Sequence, residues 1–202
     1  KFEGDTLLYA KKADVKFSIV KFLLKQITID NISIIDGKVS LKIDANNNKN
    51  YNVLARSDKK NKPLELNKIE LINTDFEFES SKIQSKISLN CSKISIAVKN
   101  EKSLNLQING KAFCKEITVY EKNYIENKKL ELNLNYSLID RKSILKSSVL
   151  KIENLDFLLD GSFDSKNMIK LDFEGNEHSI SSLMQHTPCL LYTSDAADEA
   201  SS

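Results

Sequence analysis

The chain has 202 residues, enough for one domain with a sizeable core, and its 30 Lys and Arg nearly cancel its 28 Asp and Glu. That balance disfavours a nucleic-acid binder, which ordinarily carries a clustered cationic excess. A hydrophobic share of 41%, with only five Gly and two Pro, excludes disordered, collagen-like, low-complexity and linker classes.

In chain order, an apolar run at Leu7 and Leu8 leads to Ala13, Val15 and Phe17 at period two, the spacing of a strand with one oily face. Ile19, Val20, Phe22, Leu23 and Leu24 break that alternation and predict a short amphipathic helix over residues 20–25. Next come ITIDNISIID and KVSLKID, two alternating runs around Asp36-Gly37, which reads as a two-residue hairpin turn. NNNKN at 46–50 is a polar loop, and Lys59, Lys60 and Lys62 read as a solvated one.

From residue 67 onward short alternating runs follow one another, broken by Asn, Asp, Ser, Lys or Gly. LELNLNYSL at 130–138 is typical, with Leu and Tyr on one parity and Glu, Asn and Ser on the other. Ten or more strands in a mostly antiparallel meander are expected, hence an all-β fold. NEHSISSLMQ could close it with one short helix. The last residues differ in composition: CLLYTSDAADE looks like a translated sequencing-adapter read-through, so 1–188 is expected to form the fold and 189–202 a non-native or disordered tail. The chain starts at Lys1 rather than Met, so any targeting segment is expected upstream.

The oily parity is the main feature to explain. Burying its roughly twenty large side chains is worth on the order of 30 to 60 kcal/mol gross, so water cannot be its neighbour. Three covers are available: a second sheet, giving a sandwich; lipid, around a membrane barrel; or guests held by an open, curved sheet. The barrel is disfavoured because Trp is absent and aromatics make up only 7%.

Reaction chemistry is sparse. Cys91, Cys114 and Cys189 lack CxxC spacing, and Cys91 shares parity with Ile87 and Leu89, as a small core residue would. A Cys91–Cys114 disulfide stays open. His178 and His186 have no carboxylate placed to orient them, and no nucleophile elbow, phosphate loop or dinucleotide fingerprint occurs. No enzyme activity, metal or cofactor is expected.

One resemblance adds to this. GDTLLYAKKADVKFSIVKFLLKQITIDNISIIDGKVSLKID, with Asn50, Tyr51, Asn52 and Val53 after it, resembles the N-terminal region of AsmA-like proteins, especially forms from Bacteroidetes-like bacteria. The similarity continues through KIELINTDFEFES, LNLQINGKAF and LDFEGNEHSISSLMQHTP, with NNNKN departing from the usual Asp-x-x-Gly. The resemblance implies a periplasmic β-groove, anchored to the inner membrane by an upstream helix and related to bridge-like lipid-transfer proteins. Phospholipid or another acyl lipid is the implied partner, with an outer-membrane protein partner unidentified. The implied groove lining is Leu41, Ile43, Ile87, Leu89, Ile94, Ile96, Leu104, Leu106, Ile108, Leu130, Leu132, Leu134, Leu155 and Phe157. The rival is an envelope β-sandwich acting as a scaffold or protein-binding module, with the same residues sealed in its core.

Overall fold

Alternation with almost no Gly or Pro favours long strands, and long strands are what the chain forms. The structure, a computed structural model, describes residues 6–19, 28–51, 65–100, 103–140, 142–163 and 169–175. These make β1 (Leu8–Phe17), β2 (Thr28–Ile43), β3 (Glu65–Leu66), β4 (Lys68–Ser80), β5 (Ser85–Asn100), β6 (Leu104–Val119), β7 (Lys122–Ile139), β8 (Lys142–Ile152), β9 (Leu155–Phe163) and β10 (Ile169–Gly175). All belong to one open sheet in the order β1-β2-β4-β5-β6-β7-β8-β9-β10, with β3 beside β2. The fold is all-β, as the alternation predicts.

Three expectations change. The Asp36-Gly37 hairpin does not form: both residues lie inside β2, which runs unbroken to Ile43. Asp-Gly signals a hairpin because it tolerates positive φ, and here that freedom makes a kink instead, with Asp36 at φ 50. Its neighbour on β4, Asn73, has φ 46 and donates its Nδ2 hydrogen to Asp36 Oδ1. Because β2 does not turn back, β2 and β4 run parallel, so the sheet is mixed rather than a pure meander. Runs that read as separate strands are also fused, KIQSKISLNC with KISIAVKN into β5, and SLNLQING with AFCKEITVY into β6.

The fusion works because each change of apolar parity coincides with a local irregularity. In β5 the apolar positions are Ile87, Leu89 and Cys91, then Ile94, Ile96 and Val98, and the register slips between Cys91 and Lys93. A one-residue slip would turn every later side chain to the wrong face, and the bulge cancels it. Asn127 (φ 52) does the same between Ile125 and Leu130 in β7, and Ser147 (φ 47) between Leu145 and Leu150 in β8.

No helix occurs among the described residues, and none there is long and apolar enough to cross a membrane. The expected helices at 20–25 and 176–185, the lysines at 59, 60 and 62, both histidines and the tail lie outside the described residues. The polar loop at 46–50 does form. Asp44 accepts hydrogen bonds from the Asn48 backbone and side chain, while Asn50 extends the β2 edge by bonding the Lys42 N–H and the Ser40 carbonyl.

Candidate functional site

Directly paired residues on neighbouring strands share a face, so the register tells which side chains stand together. One row across the sheet is Ala13, Ile34, Leu71, Ile94, Gly110, Leu132, Leu150 and Phe157. The next is Ala10, Gly37, Thr74, Cys91, Ala112, Leu130, Ile152 and Leu155. Both cross eight adjacent strands without an ionisable side chain other than the buried Cys91.

The remaining sequence-predicted residues fall in parallel rows on the same face. Ile96 and Ile108 pair with each other and Ile108 with Leu134; Leu106 pairs with Val98 and Tyr136, and Leu104 with Leu138. On the other side Leu89 pairs with Phe76 and Cys114, Leu41 and Ile87 both with Phe78, and Ile43 with Ser80. All fourteen candidates therefore share one face. Leu89, Ile94, Leu130 and Phe157 are buried, and the other ten are half-buried.

The burial follows side-chain size. Thr74, Cys91, Ala112 and Cys114 are small and at most 4% exposed. They lie beside the kink line of Asp36, Asn73 and Ser92, where rows of Leu, Ile and Phe on either side belong to the same apolar cluster. From β1 to β6 this leaves a line of small residues between rows of large ones, a trough in side-chain height; on β7, β8 and β9 the same row carries Leu130, Ile152 and Leu155. No second sheet packs across it among the described residues, so these do not form the two-layer sandwich. Cys91 and Cys114 are free thiols on adjacent strands, and burial pushes both up to about 11, which keeps them protonated and unreactive at neutral pH.

The opposite face is mostly polar, with Phe113, Val149 and Leu158 exposed on it, and is laced with cross-strand ion pairs, including Lys38–Glu77, Lys86–Glu116, Lys115–Asp75 and Lys151–Asp156. Exposed pairs of this kind contribute about 0.2 to 1 kcal/mol each, so they set solubility and register more than stability. Glu70 is better held. Hydrogen bonds from Lys68 Nζ and Asn31 Nδ2, both 2.9 Å, and from the Ser33 hydroxyl at 3.1 Å outweigh burial and hold its carboxyl at about 2. A carboxyl depressed on folding stabilises the fold above its unfolded value near 4.5, and that stabilisation is lost as pH falls through about 2. Glu70→Gln should therefore lower the urea midpoint at pH 7 but leave it unchanged below the folded value. Equal midpoints at both pH values would remove Glu70 from the account.

Sequence reasoning missed part of this face. Ile32, Ile34, Ile69, Leu71, Phe76, Leu145, Leu150 and Ile152 belong to the same cluster. Their alternation was visible, but only the register reveals that they join the same rows. Lys128, a polar member of the face, was missed for the same reason, whereas Tyr136 was already legible on the leucine parity. No family model, no curated protein and no solved structure matches this chain.

Proposed function

We propose that the chain binds acyl lipids on its apolar face, without enzymatic turnover, and lets them pass along the rows between the two membranes of a bacterial envelope, supporting outer-membrane assembly. The observation that carries this reading is the uninterrupted apolar face across the strand direction, with no sheet opposite it among the described residues. Nine strands abreast at about 4.8 Å spacing extend roughly 38 Å. One leaflet's hydrocarbon is about 15 Å thick, half of a core of about 30 Å, so an extended acyl chain is shorter than the rows and lies within them.

An acyl chain in water is penalised by about 0.8 kcal/mol per CH₂. A Leu- and Ile-walled trough removes most of that penalty, because hydrocarbon tails and Leu are similarly apolar. Movement from strand to strand along the rows is then nearly isoenergetic, which lowers the barrier to transfer and gives no direction to it. The periplasmic location and the upstream inner-membrane anchor rest on the AsmA-like resemblance. The test is native mass spectrometry of the chain purified without detergent and then exposed to phospholipid vesicles. Adducts of phospholipid mass are expected; a folded protein that stays free of lipid at saturating vesicle concentrations would defeat the reading.

A further inference from the structure

Lys128 is out of place. It pairs directly with Cys114, which is 0% exposed, and it precedes Leu130 by two residues on β7. Its side chain therefore belongs to the apolar face, where it is half-buried. On the other face several lysines find carboxylates, as Lys86 finds Glu116 and Lys115 finds Asp75, while Lys93 and Lys129 stand in water on a mostly polar surface. Among the described residues Lys128 has no ion pair or side-chain hydrogen bond, and its face neighbours Cys114, Leu89, Ile125 and Leu130 offer no carboxylate; Glu153, just past the end of β8, accepts the Lys129 N–H with its carboxylate instead. Glu116 and Glu126, which pair with each other nearby, belong to the polar side, because the irregularity at Lys115 and Asn127 turns the parity between them and Cys114.

Its place in the sheet is equally specific. Strand β8 ends opposite Leu130, at Ile152, so Lys128 stands one row beyond that end, at the rim of the trough. A lysine so placed keeps its aliphatic stem along apolar surface and its ammonium toward water. Lys122, which pairs with Val119, is an exposed second cation further along the same rim.

We propose that Lys128 docks the headgroup of an acyl lipid whose phosphate head is net negative, with the tail along the rows of Leu130 and Leu132. This rests on the lipid-binding reading above and narrows it to a lipid class. Charge complementarity selects the occupant. A second copy of the sheet would cover the apolar rows but bury an ammonium with no carboxylate opposite, and a net-neutral lipid would leave it uncompensated. A net-negative phospholipid satisfies the cation and the apolar rows together, with a charge-assisted hydrogen bond to phosphate.

The experiment uses the full chain with vesicles of phosphatidylglycerol or of net-neutral phosphatidylcholine, reading bound lipid at low and high salt. Wild type should prefer phosphatidylglycerol by roughly tenfold, a difference of about 1.4 kcal/mol, and the preference should shrink as salt rises. Lys128→Gln should abolish the preference while retaining phosphatidylcholine binding, Lys128→Arg should keep it, and Lys129→Gln, on the opposite face, should leave it unchanged. Inorganic phosphate at matched ionic strength should not displace the lipid, because it lacks a tail. Retained preference in Lys128→Gln, or displacement by phosphate alone, overturns the assignment. Equal wild-type binding of both lipids overturns it while sparing the lipid-binding reading; binding of neither overturns both.

Discussion

Replacing Leu106 and Leu132 together by Asp should reduce lipid capture by two to four orders of magnitude while leaving the sheet folded. Leu106 pairs with Val98 and Tyr136, and Leu132 with Gly110 and Leu150; both leucines are half-buried on the apolar face. Each leucine offers a bound tail about 1.5 to 3 kcal/mol of apolar contact, so losing both removes about 3 to 6 kcal/mol, or roughly 10² to 10⁴ in occupancy. The fold pays less because the aspartates can turn toward solvent at an open trough. In a sealed sandwich the same change would bury two unpaired charges, and the protein would unfold. Circular dichroism and lipid binding measured on one sample separate the cases: an unfolded double variant would speak for a closed core, and a folded one that still captures lipid would exclude these rows as the binding surface.

How much of this was legible in the sequence depends on which property is asked about. The strands were, because period-two alternation such as Leu130, Leu132 and Leu134 is local. Which face each residue joins was legible only within a run. The odd parity of Ile87 and Leu89 and the even parity of Ile94 and Ile96 look like two strands when read alone, and only the bulge at Ser92 makes them one face of one strand. Asp36-Gly37 misled for a related reason. Its positive φ is a backbone property that hairpins and kinks both use, and what decides between them is Asn73, 37 residues away on a parallel strand. Lys128 was illegible as a site because its meaning depends on having Cys114 opposite, which no pattern along β7 reveals.

Gly110→Ala should be the most damaging single methyl group in the sheet, costing on the order of 3 to 5 kcal/mol. Gly110 has φ +149, outside the range of L side chains, and a β-carbon there would stand 2.1 Å from the Lys93 carbonyl oxygen and 2.8 Å from Ile94 Cα. These are backbone atoms of a central strand held on both sides by β4 and β6, so no rotamer change relieves the overlap. Gly37 offers the comparison. A β-carbon there would meet the Tyr9 carbonyl oxygen at 2.4 Å, but Tyr9 belongs to β1, an edge strand paired on one side only, which can shift. Gly37→Ala should therefore cost clearly less than Gly110→Ala. Against a typical domain stability of about 5 to 15 kcal/mol, the Gly110 variant should show a large drop in urea midpoint, or fail to fold in a marginal case. The ordering, read from urea unfolding of both variants, tests whether β5 and β6 form the rigid centre of the trough; equal or reversed costs would mean that the backbone around Gly110 yields as readily as the edge does.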